Sequence, residues 1–131
     1  MYKKVIEFEG FDGQLETQEH YFHISKLEAT KINAKYGGDI QEYMTKLSDE
    51  GDTLKILEFI EEFILAAHGV RSDDGLRFIK NEDTRTEFSQ SLAFEALIVE
   101  LLTDADAITE FTNKVIPVPK QAAPVDLIRK G

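Results

Sequence analysis

The 131-residue chain has no cysteine, only three prolines, and no apolar run near the ~20 residues needed to span a bilayer. The lack of cysteine excludes disulfide frameworks, thiolate zinc sites, iron–sulfur clusters and cysteine nucleophiles. Because no long apolar stretch follows the first basic residues, we expect no signal peptide and no membrane partner. The remaining composition, 42% hydrophobic and 31% charged residues, is typical of one globular domain.

Positive charge is scarce, since 15 basic residues oppose 25 acidic ones and the net charge is -10. An acidic chain binds nucleic acid only through a local basic patch, and the sequence offers none, so no nucleic-acid partner is expected. Residues 39–62 hold eight acids and two lysines, whereas residues 117–131 hold three basic residues and one acid. This uneven distribution indicates a separate role for the C-terminal tail.

The N-terminal part of the chain has the pattern of a β-hairpin. Residues 5–8 and 17–24 are rich in β-forming side chains, and Asp12-Gly13 between them suits a turn with positive φ. An isolated two-stranded ribbon is unstable in water. The hairpin, predicted over about residues 3–24, should therefore pack on helices.

The rest of the sequence, up to residue 116, predicts about five helices. Ser25 and Glu28 form a capping-box pattern, and Asp39 is placed to cap the second helix. The third helix has the widest apolar stripe, which predicts a central, buried position. The predicted helices cover about residues 26–36, 40–50, 53–68, 84–102 and 104–116.

These elements predict a mainly α fold of the α+β type, in which an N-terminal hairpin packs on a helical bundle. Between the third and fourth helices, residues 73–75 are predicted as a turn and residues 76–79 as a short extended piece or a loop. We expect a single globular domain over residues 1–116. The Pro-containing tail, residues 117–131, is expected to be flexible.

The three histidines do not form a metal-binding or catalytic pattern. His20 and His23 are three residues apart on the second predicted strand, so they should face opposite sides and not share a metal ion. Both are interpreted as surface or edge residues. His68 lies at a helix C-terminus, where a cation suits the helix dipole, and is predicted to be a capping residue.

The carboxylates are numerous but unspecific. Glu61-Glu62 and Asp73-Asp74 lie in polar surroundings, which favours a solvated acidic face over general acid–base chemistry. A calcium loop, a glycine-rich phosphate cradle and a nucleophile elbow are all missing. We therefore predict no catalytic residue, no metal and no cofactor. An enzyme that uses the acidic cluster with a metal is the least favoured alternative.

The helices have more apolar residues than one narrow packing face requires. The additional ones are Phe59, Leu65 and Phe94. They either wrap a compact core or line a groove for a partner helix or a homo-oligomer contact. In the tail, Leu127 and Ile128 form a short apolar pair that is either an inert end or a segment that orders on binding. These five residues are the candidate partner-binding residues.

A series of short motifs, none of them catalytic, follows in order along residues 5–117. They are Phe11-Asp12-Gly13-Gln14, Tyr21-Phe22-His23-Ile24-Ser25-Lys26, Arg77-Phe78-Ile79-Lys80-Asn81-Glu82, Arg85, Phe88, Leu97, Thr103-Asp104-Ala105-Asp106-Ala107, Phe111 and Val115-Ile116-Pro117. In this order they resemble the tail assembly chaperones of long-tailed bacteriophages and prophages.

This resemblance implies a non-catalytic role in the host cytoplasm. Such chaperones bind the tape measure protein, keep it soluble until tail tube subunits polymerise around it, and are absent from the finished virion. Many also exist in a longer, frameshifted form whose extension recruits the tail tube protein. The family has no universally placed functional residue, so the resemblance assigns no site. A small structural tail or head-completion protein retained in the virion is the alternative.

Overall fold

The computed structural model describes residues 1–116. Within this range, one four-stranded sheet packs against six helices, which confirms the predicted α+β class. The strands are β1 (Tyr2–Glu9), β2 (Leu15–Phe22), β3 (His68–Arg71) and β4 (Phe78–Ile79). The helices are α1 (Lys26–Lys35), α2 (Ile40–Glu50), α3 (Thr53–Ala67), α4 (Glu82–Ser89), α5 (Leu92–Thr103) and α6 (Ala105–Val115).

The predicted hairpin is confirmed. β1 and β2 are antiparallel along their whole length, from Tyr2 opposite Phe22 to Glu9 opposite Leu15. Gly13 has a φ of 82° in the turn between them, a conformation that glycine adopts without steric cost. β2 ends two residues earlier than predicted, because the next two backbone N–H groups donate to the last carbonyls of α3 and α6.

The sheet is larger than the sequence predicted, with strand order β1-β2-β3-β4. β3 was not predicted, since residue 68 was placed at the end of the third helix and residues 69–71 were given no element. It pairs with β2 at Tyr21 and Phe22 and with β4 on its other side. Gly69 permits this pairing, since a Cβ there would lie 2.6 Å from a ring carbon of Phe78. Residues 15–20 of β2 therefore have a strand partner on one side only within the described range.

The caps predicted for α1 and α2 are confirmed. Ser25 and Glu28 form both hydrogen bonds of the capping box at the start of α1. Asp39, Asp52 and Asp104 accept backbone N–H groups at the starts of α2, α3 and α6. These local hydrogen bonds satisfy donors that the first turn of a helix leaves free, so they fix where each helix begins.

The predicted fourth helix is in fact two helices. Ser91 interrupts the apolar pattern, because its hydroxyl donates to the carbonyl of Phe88 at 2.7 Å and accepts the N–H of Phe94 at 3.1 Å. The side chain thus competes with the backbone bonds that would continue α4 and instead caps α5. The prediction of one helix over residues 84–102 was therefore wrong.

A single hydrophobic cluster joins the sheet and the helices. The central position predicted for α3 is confirmed, because five of its residues are buried. These are Phe59, Ile60, Phe63, Ile64 and Ala67. One face of β1 packs on α5, where Ile6 is buried and Lys4 Nζ lies 3.0 Å from Glu100 Oε2.

The predicted tail over residues 117–131, including Leu127 and Ile128, lies outside the described residues. Across residues 1–116, no helix has both the length and the apolar character needed to cross a membrane. The boundary of the globular domain at residue 116 stays a prediction.

Candidate partner-binding surface

An apolar groove opens where the C-terminal ends of α2 and α5 meet the N-terminal ends of α3 and α6. Its volume is about 360 Å³, and eight of its ten lining residues are apolar. The lining residues are Met44, Leu47, Ser48, Ile56, Phe59, Ile60, Leu101, Leu102, Thr103 and Ile108. The four helices thus present one concave surface, which we call the bundle groove.

Two short connections bring these helix ends together. Gly51, at a φ of 68°, ends α2, and Asp52 then caps α3 by accepting the N–H of Lys55 at 3.2 Å. Asp104 alone separates α5 from α6 and accepts the N–H of Asp106 at 3.0 Å. Because neither connection is long enough to cover the helix ends, the apolar side chains beside them line an open groove.

The depth of the bundle groove varies along its lining. Phe59 forms part of its floor and is only 5% exposed, whereas Leu102 is 37% exposed. Met44, Ile56 and Ile108 are half-buried between these extremes. An apolar side chain of a partner could therefore contact Leu102 and the half-buried residues without any change in the core.

The mouth of the bundle groove has a negative partial charge from two helix ends. α2 and α5 direct the negative ends of their helix dipoles toward it, and neither helix has a basic residue in its last turn. None of the lining residues is charged. Asp49, Glu50 and Asp106 are close in sequence to lining residues but are not part of the lining. The groove therefore favours a partner that presents apolar side chains followed by a cation.

A more polar depression lies between α2 and α3 on another side of this helix pair. It includes Lys46 and Lys55, so these two lysines do not line the bundle groove. The hydroxyl of Tyr36 donates to Glu62 Oε2 at 3.1 Å. Burial, and then the charge of Glu62, raise the pKa of Tyr36 to about 12. This depression already has charges of both signs.

The predicted partner-binding residues occupy different environments. Phe59 and Phe94 are 5% and 8% exposed, and the ring of Phe94 lies 5.5 Å from that of Phe88. Leu65 is half-buried. This burial favours the alternative in which Phe59 and Phe94 pack in the core. Contact of these residues with a partner stays a prediction.

A second cleft, of about 520 Å³, lies between β2, β3 and α4. His20 Nδ1 lies 3.1 Å from His68 Nε2, although the two residues are 48 positions apart in the sequence. The ring of His68 stacks on Phe88 with a centroid distance of 3.8 Å and an interplanar angle of 3°. The pairing of β2 with β3 brings the two histidines together.

Hydrogen bonds fix the protonation of this histidine pair. His20 Nε2 donates to Gln18 Oε1 at 2.9 Å, so His20 Nδ1 accepts the Nε2–H of His68. His68 Nδ1 is buried and has no hydrogen-bond partner within the described residues. Burial, and then the neighbouring His20, lower the pKa of His68 to about 4, and burial also lowers the pKa of His20. Both rings are therefore neutral near pH 7.

One expectation about the histidines was wrong. His68 does cap the C-terminus of α3 through its backbone, but its buried side chain is not a cation that complements the dipole. His20 lies on the edge of β2, as predicted, and its ring is half-buried against His68 and Phe88. The contact between the two histidines was missed because β3 was not predicted. The sequence signal for β3 was Val70 before the turn at residues 72–75, followed by the extended segment after that turn.

The histidine cleft has no arrangement typical of catalysis. In the part of the chain that the structure describes, no three histidine or carboxylate side chains converge on a metal-binding point. Neither His20 nor His68 forms a hydrogen bond to a carboxylate or a hydroxyl there, so a nucleophile–base pair is also missing from the described residues. Packing of the β2–β3–α4 corner accounts for these residues.

Comparison with known proteins gives one match. A family model described as "Phage tail assembly chaperone" covers residues 1–123 of the chain. No curated protein and no solved structure matches the sequence.

Proposed function

The chain belongs to the phage tail assembly chaperone family, and from this premise we propose that it binds the tape measure protein and keeps it soluble. In this proposal the tape measure protein stays available until tail tube subunits polymerise around it. The family match, which covers most of the chain, is the observation that supports the proposal. Membership in a chaperone family also indicates a binding protein rather than an enzyme.

The bundle groove supports this proposal physically. A long helical client aggregates when apolar stripes on different molecules associate. A groove between helix ends can cover part of such a stripe. The net charge of -10 would keep the coated client in solution through repulsion between complexes. Both properties are those expected of a small holding chaperone.

Further parts of the proposal concern location and partners. We place the protein in the cytoplasm of the infected host and expect it to be missing from the mature virion. A longer, frameshifted form would recruit the tail tube protein, and the same helical surface could mediate a homo-oligomer contact. Each of these statements follows from the proposed chaperone role.

Co-expression with the tape measure protein of the same phage tests two points at once. They are whether the chain keeps this client soluble and whether the bundle groove is needed for that effect. Leu102→Asp places a carboxylate in the bundle groove, whereas Val99→Asp places one on α5 outside it, at a residue that is 54% exposed. We expect the natural chain and the Val99 variant to raise the soluble yield of the tape measure protein, and the Leu102 variant to lose most of this gain. Thermal unfolding of both variants checks that they remain folded.

Two results would overturn the proposal. One is a soluble yield of tape measure protein that is the same with and without the natural chain. The other is the detection of the chain in purified virions at a stoichiometric level by mass spectrometry. The second result would favour the alternative of a structural tail or head-completion protein.

A further inference from the structure

We propose that the bundle groove is occupied, in the free protein, by the C-terminal segment of the same chain, residues 125–130. The groove combines apolar side chains with the negative ends of two helix dipoles, so its occupant needs apolar side chains next to cations. The occupant must also reach the groove from where the described chain ends. Residues 125–130 meet both conditions.

The chemistry of the segment complements that of the groove. Val125, Leu127 and Ile128 supply apolar side chains, and Arg129 and Lys130 follow directly. Asp126 is the single acid of the segment, so its net charge is +1. Cations are favoured beside the C-terminal ends of helices, and α2 and α5 both end at the groove without a basic residue in the last turn. The basic pair would therefore supply the charge that these helix ends lack.

The length of the intervening chain allows this contact. α6 begins at the groove, where Ile108 is part of the lining, and its 11 residues rise about 16 Å toward Ile116. Residues 117–124 can span up to roughly 27 Å at about 3.4 Å per residue, which is enough for a return along α6. A short tether also gives the segment a local concentration on the order of millimolar. Even weak contacts would then fill the groove.

A second copy of the chain is a less suitable occupant. Two copies that each carry a net charge of -10 repel one another, whereas the covalently attached segment is locally basic. The family match ends at residue 123, so residues 125–130 lie beyond the matched region. Docking of the segment does not depend on the proposed function. Competition between the segment and a client does depend on it, because a tape measure protein that uses the same groove would first have to displace the segment.

Paramagnetic relaxation in the full-length chain tests the docking. The natural sequence has no cysteine, so Gly131→Cys provides a single position for a spin label. We expect the NMR signals of Met44, Leu102 and Ile108 to lose most of their intensity, while signals from the turn of the β1–β2 hairpin stay sharp. This pattern would place the end of the chain at the bundle groove.

Matched tail variants identify which residues dock. Leu127→Asp with Ile128→Asp should restore the groove signals, because two carboxylates would enter an apolar site at the negative ends of two helix dipoles. Ala122→Asp with Ala123→Asp adds the same charge within the tether and should leave the broadening unchanged. Neither pair alters residues 1–116, so loss of the fold does not complicate the comparison.

Binding of a peptide in trans gives a second readout. A synthetic peptide of residues 117–131 should bind the Leu127/Ile128 variant more tightly than it binds the natural chain, whose own segment competes. If the natural groove is occupied about nine-tenths of the time, the difference in Kd is about tenfold. Equal affinity for the two chains would contradict the competition.

Three patterns of intramolecular broadening would overturn the proposal. They are broadening that is spread evenly over the surface, broadening centred on another surface, and broadening that persists in the Leu127/Ile128 variant. Broadening seen only between labelled and unlabelled copies would assign the groove to a second chain and would equally exclude the intramolecular contact. The soluble yield of the tape measure protein is measured separately, so docking and the proposed function can fail independently.

Discussion

Acidification should destabilise the protein through His68. Its imidazole is 8% exposed, lies against Phe88 and has one ring nitrogen without a hydrogen-bond partner within the described residues. The other titratable side chains that line the same cleft are Glu19, His20 and Tyr21 from β2, Arg71 from β3 and Glu87 from α4. Protonation of His68 at Nδ1 would place a charge in this buried position and add an N–H group that has no hydrogen-bond acceptor within the described residues.

The magnitude follows from the shift in pKa. Burial lowers the pKa of His68 from its ordinary value of 6.5 to about 4, so between these values the unfolded chain binds a proton that the folded protein does not. The free energy of unfolding is therefore highest above pH 6.5 and falls as the pH decreases toward 4. At about 1.4 kcal/mol per pKa unit, His68 alone removes about 2 kcal/mol between pH 7 and pH 5.

Urea unfolding followed by far-UV circular dichroism at pH 7, 6 and 5 measures this loss. His68→Phe keeps an aromatic ring on Phe88 but cannot titrate, so its free energy of unfolding should decrease by about 2 kcal/mol less than that of the natural chain. His23→Gln removes a histidine outside the pair and should retain most of the pH dependence. An identical pH dependence in the natural chain and in His68→Phe would refute the reasoning.

Two further predictions concern packing. Gly69→Ala should lower the free energy of unfolding by roughly 1–3 kcal/mol, because the added Cβ would lie 2.6 Å from the ring of Phe78 and 2.9 Å from the carbonyl oxygen of Ile79; urea unfolding checks this, and an unchanged midpoint would contradict the observed β3–β4 contact. Phe59→Ala should cost about 3–5 kcal/mol by the same measurement, since its side chain is buried in the cluster. A loss of less than about 1 kcal/mol would instead indicate that Phe59 is available to a partner.

The parts of the fold that sequence analysis predicted well are those that local chemistry decides. The capping box of Ser25 and Glu28 and the cap by Asp39 involve residues at most three positions apart, so a short window contains the whole interaction. The turn at Gly13 is equally local. Helix starts and the hairpin could therefore be placed from the sequence.

The features that were missed depend on contacts between distant residues. β3 has four residues and follows α3 without a loop, so only its pairing with β2 distinguishes it from a helix end. The proximity of His20 to His68 depends on that same pairing. At Ser91 the apolar pattern favours one long helix. The pattern does not show whether the Ser91 hydroxyl is exposed to solvent or caps a new helix, as it does here.

The bundle groove illustrates a similar limit. Apolar residues such as Met44, Leu102 and Ile108 were expected on their helices, but the sequence does not state which helix ends meet. Phe59 was selected as a surplus apolar residue and is in fact the groove floor, whereas the accessible residue is Leu102. The amphipathic patterns thus predicted that the helices have a binding surface, but they did not predict where on the helices it lies.

Residues 15–20 of β2, which have a strand neighbour on one side only, bear on fibril formation. Open strand edges are templates on which identical chains can stack. Glu16 and Glu19 stand on this edge and, being three residues apart, point to opposite faces of the sheet. A copy stacking in register would bring like carboxylates together on both faces, which should discourage amyloid-like growth from this edge.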